Sequence, residues 1–302
     1  MADQPDIARS IELPGPWQHR YVAANGARFH VTEAGTGPLV LLLHGFPEFW
    51  WSWRDQIPAL ADAGFRVAAM DLRGYGGSDK TPRGYDPFTL AQDVSGVVQA
   101  LGESQARVIG HGWGGYLAWA TAVLHPREVA AVAALSAPHP SVMLRALRRG
   151  RRVGALGHVL AMQLPMLPER RLADAESGYL HHHLRSWSGS AYFPTDEVVS
   201  TYQAAIGLWP ASHCALEYHR WLFRSRLRAD GRRFNASMRT PVTQPTLCLT
   251  GANDPAVPPA LVEASGGRVS GPFTAHVLDG VGHFVHEEAP TRVNALLLDW
   301  LG

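Results

Sequence analysis

The sequence predicts an α/β fold, a mostly parallel sheet with helices on both faces, and three observations support this. Short β-rich runs alternate with longer segments whose apolar residues return every three to four positions. The alternation stops between Pro138 and Pro245, where aromatic, His and Arg residues are concentrated. With 302 residues, 46% of them hydrophobic, the chain is long enough for one large core that carries an inserted domain.

Each predicted element follows from its own stretch of sequence. Strands are predicted at short apolar runs, several of them bounded by Gly or Pro: 28–33, 39–43, 66–70, 107–109, 129–135, 246–250 and 275–278. Helices are predicted where the apolar period is helical: 51–63, 89–101, 115–124 and 291–300. The compositional break then divides the chain into a first core part, 1–138, an inserted helical domain, 139–240, and a second core part, 241–302.

The charge distribution argues against some partners. With 27 basic and 26 acidic residues, the chain has no global field that would hold nucleic acid or an anionic membrane. The inserted domain has fifteen arginines and seven acidic residues, so it carries +8 and the rest carries −7. The densest cluster is Arg145, Arg148, Arg149, Arg151 and Arg152. It either contacts an anionic partner or forms a solvated helix end that pairs with the acidic body, and the second interpretation is favoured.

Cysteine content and the start of the chain bear on the compartment. Cys214 and Cys248 are too few for a disulfide framework, and the first residues have neither the basic nor the apolar region of a signal peptide. The densest apolar run, 39–43, is far shorter than the roughly 20 residues of a membrane span. We therefore expect a cytoplasmic protein without a membrane span, and no motif indicates a cofactor or a metal ion.

The most informative motif is Gly-His-Gly-Trp-Gly-Gly at 110–115, between a predicted strand and a predicted helix. Small residues in this setting are typical of a nucleophile elbow, a sharp turn that raises one side chain above the sheet. In the spacing Gly-x-nucleophile-x-Gly, the reactive position is residue 112. Because this residue is Gly112, the sequence predicts the turn without its nucleophile.

A second motif, His-Gly-Phe-Pro-Glu at 44–48, follows the predicted strand 39–43. In sites of this kind, one backbone N–H from such a motif and one from the residue after the nucleophile stabilise a developing oxyanion. These would be the N–H groups of Phe46 and Trp113. Since backbone groups need no particular side chain, the predicted oxyanion hole does not depend on Gly112.

An acid and a base follow in the expected chain order. Asp254 ends the run Gly-Ala-Asn-Asp after strand 246–250, and His283 lies in Gly-Val-Gly-His-Phe after the last strand. In the order nucleophile, acid, base, Asp254 would fix the imidazole tautomer and His283 would activate water. The alternative is that the two residues form only a structural hydrogen bond.

Three weaker features receive no catalytic role. The run 71–78 contains Asp, Arg and glycines that suit a hydrogen-bonded turn. The three consecutive histidines at 181–183 are predicted to lie on the surface, because adjacent helical residues point about 100° apart and cannot all face one ion. Among Trp50, Trp51 and Trp53, a share is predicted to face a ligand, while packing accounts for the rest.

Taken together, these motifs resemble the epoxide hydrolases of the α/β-hydrolase fold, which are relatives of the haloalkane dehalogenases. The resemblance extends over about residues 21–300 and includes Ser-Ala-Pro-His-Pro at 136–140. It implies a helical cap after the sixth strand, which coincides with the compositional break, and a hydrophobic small molecule as substrate. In that family an elbow Asp attacks the epoxide to form an ester, and water activated by the His and acid pair then cleaves the ester.

The chain departs from the family pattern at three positions. Gly112 replaces the elbow Asp and cannot form the ester. The family also places two cap tyrosines on the epoxide oxygen. The segment Glu-Tyr-His-Arg at 217–220 has His219 where the second tyrosine is expected, so His219 is the candidate cap acid. Alignment of the first tyrosine puts Met162 in its place, while Asp254 and His283 remain.

Three functions are compatible with this set of residues. The favoured one is a hydrolase that works in one step. His283, oriented by Asp254, would deprotonate a water beside Gly112, and this water would hydrolyse an epoxide or an activated ester. The second is a binding protein for a hydrophobic small molecule without turnover. Because glycine adopts the strained elbow conformation nearly freely, Gly112→Asp would then lower the melting temperature. The third is cofactor-free lyase or proton-transfer chemistry by the same dyad.

Overall fold

A computed structural model of the chain describes residues 10–149 and 154–302, and this part confirms the predicted α/β fold. Its strands are β1 (Gln18–Ala24), β2 (Ala27–Ala34), β3 (Leu39–Leu43), β4 (Arg66–Met70), β5 (Ala106–His111), β6 (Val129–Leu135), β7 (Thr246–Gly251) and β8 (Phe273–Leu278). They form one sheet in the order β1-β2-β4-β3-β5-β6-β7-β8. The strands β3 to β8 run parallel, whereas β1 and β2 form an antiparallel hairpin that pairs antiparallel with β4.

Helices cover both sides of the sheet. In chain order they are α1 (Gln56–Asp62), α2 (Pro87–Ala100), α3 (Trp113–Leu124), α4 (Pro140–Arg148), α5 (Gly154–Ala161), α6 (Leu167–Ala173), α7 (Tyr179–Trp187), α8 (Asp196–Ile206), α9 (Ala211–Arg224), α10 (Ala229–Ser237), α11 (Pro259–Glu263), α12 (Val285–Glu288) and α13 (Pro290–Leu301). Short 3₁₀ turns lie at Trp50–Trp53, Ala175–Ser177, Ser225–Leu227 and Ala264–Arg268. Every residue of β3 is buried, as expected for a central parallel strand covered on both faces.

The structure differs from the predicted elements at the N-terminal side. The strand β1 was not predicted, because at this edge of the sheet only Val22 is buried and the apolar pattern is weak. The predicted helix 51–63 is divided into a 3₁₀ turn and α1. The ring of Pro58 disfavours an α-helical carbonyl at Arg54, so α1 begins only shortly before the proline.

The tryptophan cluster beside α1 belongs to the core. Trp50, Trp51 and Trp53 are all buried, and none of them lines the cavity described below. The Trp50 indole donates a hydrogen bond to the Ile11 carbonyl at 2.8 Å. The prediction that a share of this cluster faces a ligand is therefore wrong. The three tryptophan side chains pack in the core instead and hold the segment between β3 and α1 in place.

The loop 71–78 is organised by one buried carboxylate, as predicted. Asp71 accepts hydrogen bonds from the N–H groups of Trp50 and Gly77, each at 2.8 Å, and lies 2.8 Å from Nδ1 of His30. Three partners satisfy the charge of this carboxylate without water. The loop thus connects the start of the Trp50–Trp53 turn with the edge of β2.

A buried ion pair beside this loop gives a first prediction. Arg73 contacts both carboxylate oxygens of Asp93 at 2.7 and 2.6 Å, and the two side chains are 5% and 2% exposed. Asp93→Ala leaves the guanidinium buried without its partner, so we expect the free energy of unfolding in urea to fall by about 3 kcal/mol. As control, Asp230→Ala removes a surface partner of Arg228 and should cost less than about 1 kcal/mol. Equal losses in the two variants would contradict the expected role of burial.

The helices α4 to α10 form the inserted segment, residues 139–240, between β6 and β7. Arg145 and Arg148 lie in the last turn of α4, where cations interact favourably with the helix dipole. Arg151 and Arg152 of the predicted cluster lie outside the described residues. That the inserted segment is a domain of its own, between core parts 1–138 and 241–302, stays a prediction. Over the described ranges, no helix is both long and apolar enough to cross a membrane.

Candidate active site

The residues singled out by the motifs follow four parallel strands. Phe46 follows β3, Gly112 follows β5, Asp254 follows β7 and His283 follows β8. The carboxyl ends of parallel strands lie at one edge of the sheet, which is where open α/β sheets carry their sites. The fold thereby gathers at this edge four positions that are far apart in the chain.

The turn at Gly112 has the geometry of an elbow. Its φ of 52° and ψ of −113° place it in a region that L side chains rarely adopt. At Gly114, an added Cβ would lie 2.0 Å from the Leu43 carbonyl oxygen, so the helix α3 can start this close to β3 only with glycine there. At Gly112 an added Cβ would instead meet Gly45 Cα at 3.6 Å and His283 Nε2 at 3.7 Å, which are ordinary contacts. The site therefore has room for a side chain at position 112 although it carries none.

Asp254 and His283 form a hydrogen-bonded dyad. The Nδ1 of His283 lies 2.8 Å from Oδ2 of Asp254. The second carboxylate oxygen accepts hydrogen bonds from the N–H groups of Ala256 and Val257 at 2.8 and 2.9 Å. A neutral His283 consequently carries its proton on Nδ1 and presents the lone pair of Nε2 to the space above Gly112.

The main chain of His283 is held from several sides. Its N–H donates to the carbonyl of Trp187 in α7 at 2.8 Å. Its carbonyl accepts from Ser136 Oγ at 2.7 Å and contacts His111 Nε2 at 3.0 Å. Both the inserted segment and the sheet core therefore fix the position of the imidazole.

A buried charge pair lies beneath the elbow. The Nδ1 of His111 lies 2.9 Å from Glu48, whose carboxylate also accepts from the Gly45 N–H at 2.8 Å. Burial opposes ionisation of both groups, but their mutual attraction lowers the pKa of Glu48 to about 2 and raises that of His111. Both shifts favour the charged forms of the two groups. Sequence reasoning missed the pair because the two side chains meet only in the fold.

His286 joins this pair in the one cluster of possible metal ligands that the described residues contain. The ligand atoms of Glu48, His111 and His286 lie within 4.8 Å of one another. In the charged pair, however, both nitrogens of His111 face oxygen acceptors, on Glu48 and on His283. An imidazole that donates at both nitrogens has no lone pair for a metal ion. In this protonated form His111 is not available as a metal ligand, and neither ring nitrogen of His286 has a hydrogen-bond partner within the described residues.

A cavity of about 190 Å³ lies above Gly112 and His283, between the core and the inserted segment. Its walls are mainly apolar, and the aromatic residues among them are Phe46, Trp113, Tyr116, Trp187, Trp221, Phe223 and Phe234. The inserted segment contains Trp187, Tyr192, Trp209 and Trp221, and the sequence does not indicate which of them line a cavity. In the structure, Trp187 and Trp221 do. Tyr192 and Trp209 are exposed, at 89% and 81%.

The candidate cap acid, His219, does not have the geometry of an acid. Its Nε2 accepts a hydrogen bond from the Trp113 indole at 3.0 Å, and its Nδ1 lies 3.2 Å from the Ala215 carbonyl of its own helix. Burial lowers the pKa of His219 to about 4, so the ring is neutral and its one proton faces its own backbone. The structure therefore assigns His219 the part of an acceptor in the cavity wall.

His158 is the residue that sequence reasoning missed on this wall. Its Nε2 lies 3.2 Å from Nε2 of His219, and the accepting role of His219 makes His158 the donor. The residue aligned with the first tyrosine, Met162, is fully buried and does not line the cavity, so that alignment is wrong. The sequence does carry a signal for His158, which is the single polar residue in the otherwise apolar run Gly-Ala-Leu-Gly-His-Val-Leu-Ala.

The histidines at 181–183 divide between surface and interior. His181 and His182 are exposed as predicted, but His183 is buried and its ring stacks on His158 with 4.8 Å between centroids. The surface prediction was therefore wrong for His183. The helix α7 turns Leu180, His183 and Leu184 to the same inner face, following the helical period of three to four.

Comparisons with known proteins agree with this architecture. The family model of the alpha/beta hydrolase fold matches residues 38–290. The chain is 34% identical over 316 residues to "Epoxide hydrolase A" of Mycobacterium tuberculosis, covering 93% of this chain and 96% of the relative. It is 32% identical over 295 residues to "Epoxide hydrolase 3" of Xenopus tropicalis, covering 94% and 78%. Among solved structures, an epoxide hydrolase from an endophytic Streptomyces has a TM-score of 0.81 at 32% identity, covering 95% and 96%.

Proposed function

The chain belongs to the alpha/beta hydrolase family, and from this premise we propose that it hydrolyses an epoxide or an activated ester of a hydrophobic small molecule by direct attack of water. One observation carries the proposal. His283 is linked to Asp254 through Nδ1, and its Nε2 lies 3.7 Å from the position that a Cβ on Gly112 would occupy. A base is therefore aimed at the place from which the reaction must start, and no side chain at position 112 competes with water there.

The proposed step needs no covalent ester. The oxygen of a water above Gly112 forms a bond to an epoxide carbon while its proton moves to Nε2 of His283. Asp254 stabilises the resulting imidazolium. The C–O bond of the epoxide breaks, its electron pair stays on the epoxide oxygen, and this oxygen takes up a proton from solvent. For an ester, the N–H groups of Phe46 and Trp113 would stabilise the tetrahedral oxyanion.

The cavity wall offers two N–H donors for the epoxide oxygen. The indole of Trp113 and Nε2 of His158 both point to the single acceptor Nε2 of His219, at 3.0 and 3.2 Å. A substrate oxygen placed among these three groups would replace His219 as the acceptor. In the resembled family two tyrosine hydroxyls donate to the epoxide oxygen, so Trp113 and His158 would take over the donor role of that pair.

We further propose that residues 139–240 act as a cap domain on the two core parts, 1–138 and 241–302. The apolar walls that this segment contributes would exclude bulk water and select hydrophobic substrates. A second candidate function is binding without turnover, which Gly112 favours because glycine relieves the strain of the elbow. The replacement of His283 distinguishes these two functions.

We expect His283→Gln to lower hydrolysis of epoxides by about 10²- to 10⁴-fold, because the variant lacks the base. The measurement is diol formation by purified protein in H₂¹⁸O over a single turnover, in which one solvent oxygen should enter the product directly. His276→Gln, an exposed histidine on β8, serves as the matched control and should keep full activity. Equal rates in parent and His283→Gln would reject the base, and prior ¹⁸O labelling of a protein carboxylate would reject direct attack.

A further inference from the structure

The space above Gly112 is bounded by groups that suit a small anion. The backbone N–H of Phe46 and that of Trp113 donate to no acceptor within residues 10–149 and 154–302. His283 is only 6% exposed, its Nε2 has no hydrogen-bond partner in the same ranges, and with a proton on both ring nitrogens this Nε2–H would donate to an anion. The helix α3, which starts at Trp113, adds the partial positive charge of its N-terminus.

The dimensions of this space define what it can hold. A side chain at position 112 would begin 3.6 Å from Gly45 Cα and 3.7 Å from His283 Nε2. A free molecule must stay roughly 3.5–4.0 Å from Gly112 Cα, whereas a side chain is bonded at roughly 1.5 Å. Acetate would therefore be pushed outward by its methyl group. Formate carries no methyl group and can place its carboxylate closest to the two N–H groups.

We propose that this space binds a small monocarboxylate, formate above all, which acts as an external nucleophile on the epoxide. The proposal rests on the proposed function, since it uses the same cavity and the same substrate class. It differs in the attacking atom, which is a carboxylate oxygen instead of the oxygen of water.

The reaction balances in two steps. A formate oxygen uses its lone pair to form a bond to an epoxide carbon, the epoxide C–O bond breaks, and the released oxygen takes a proton from solvent. The product of this step is a hydroxyalkyl formate ester. The formate ester is neutral, so His283 returns its proton to solvent and can act as a base. Water deprotonated by His283 then attacks the formyl carbon, and the N–H groups of Phe46 and Trp113 stabilise the oxyanion. The acyl–oxygen bond breaks, the leaving alkoxide takes the proton from His283 to complete the diol, and formic acid releases its proton to solvent as formate forms. One diol oxygen thus originates from formate.

The test measures epoxide turnover by the full-length protein with 0–100 mM sodium formate at constant ionic strength, with chloride as the replacement anion. We expect a saturable increase of about tenfold, with acetate weaker than formate and pivalate without effect. With [¹⁸O₂]formate in unlabelled water, ¹⁸O should appear in the diol, and the formate ester should be detected at early times.

Two variants locate the effect. Gly112→Ala places a methyl group where the anion would bind and should remove the formate dependence. Gly267→Ala, at a glycine with no other atoms within 4 Å of the added Cβ, is the control and should keep it. A folded Gly112→Ala, verified by its circular dichroism spectrum and a single unfolding transition, that retains the full formate response would overturn the proposed site.

The outcomes separate this proposal from the previous one. Diol that contains only solvent oxygen, at a rate independent of formate, would overturn the external nucleophile and leave direct water attack standing. Diol formed only when formate is present would overturn direct water attack and support the external nucleophile. No reaction under either condition would overturn both.

Discussion

Gly112→Asp is expected to raise epoxide turnover by about 10³-fold. Removing the nucleophile from a comparable site lowers turnover by about 10⁶-fold. The rest of such a site still accelerates the reaction by about 10³-fold over water. Because the proposed donors to the epoxide oxygen are the weakly acidic N–H groups of Trp113 and His158, we expect only part of that loss to be recovered. A gain of 10³ corresponds to about 4 kcal/mol of barrier.

The physical reason lies in the space and the partners around position 112. The added Cβ makes ordinary contacts, and the carboxylate would lie beside His283 and the N–H groups of Phe46 and Trp113. It would attack the epoxide, and water activated by His283 would cleave the ester. In Gly112→Asp combined with His283→Gln, cleavage should be slow enough for intact-mass measurement to detect the protein with one substrate molecule attached.

The same substitution should destabilise the fold. A side chain at φ 52° and ψ −113° costs about 1–3 kcal/mol, which corresponds to a fall in melting temperature of several degrees for a chain of this size. Gly112→Ala is the matched control, because it has the same backbone strain without the carboxylate. Its melting temperature should fall as far as that of Gly112→Asp, and its turnover should not increase. Unchanged melting temperatures would contradict the strain argument, and an inactive, folded Gly112→Asp would show that the remaining groups do not support the reaction.

A second large effect is expected from acid. Burial lowers the pKa of a set of histidines in the folded chain: His44, His139, His158, His183, His219 and His286. For His139 and His183 the pKa falls to about 3, and for His219 to about 4. In the unfolded chain a histidine takes up its proton near pH 6.5.

The sign of the effect follows from these directions. Between about pH 6.5 and pH 4 the unfolded chain binds more protons than the folded chain, so the free energy of unfolding falls as the pH falls. Each such histidine contributes up to about 1.4 kcal/mol per pH unit, and three of them contribute about 4 kcal/mol per unit near pH 5. We therefore expect loss of the folded state near pH 5, measured by urea unfolding at pH 7, 6 and 5.

One pair of neighbours provides the control for this prediction. His183→Phe removes a buried titrating group and should make the dependence on pH less steep by about 1 kcal/mol per unit. His182→Phe, at the exposed neighbouring position, should leave the slope unchanged. A free energy of unfolding that stays constant from pH 7 to pH 5 in the parent would refute the assignment of neutral buried histidines.

Local sequence was sufficient for the parts of the molecule that depend on local rules. The run Leu39–Leu43 is apolar throughout because both faces of β3 are covered, and the small residues around Gly112 reflect the close approach of α3 to β3. Asp254 and His283 were recognisable because each follows a strand in a set chain order. Strand and helix bounds deviated mainly at the edge, where β1 has little apolar pattern.

Contacts between distant segments were beyond the reach of sequence reasoning. His158 and His219 lie on two different helices and are 61 residues apart in sequence, and no motif spacing connects them. The same applies to the charged pair of Glu48 and His111, which are 63 residues apart. Whether a tryptophan packs in the core or faces a cavity likewise depends on tertiary geometry. The prediction that a share of Trp50, Trp51 and Trp53 faces a ligand was therefore wrong, and sequence alone did not show that Trp187 lines the cavity.

The hydrogen bond from the His283 N–H to the Trp187 carbonyl links the proposed base to α7, a helix that contributes Trp187 to the cavity wall. A bulky ligand that displaced α7 on entry would also displace the peptide that carries the imidazole. Under the proposed function, substrate entry and the position of the base would therefore depend on each other. A redesign of α7 for larger ligands would have to preserve this hydrogen bond as well as widen the cavity.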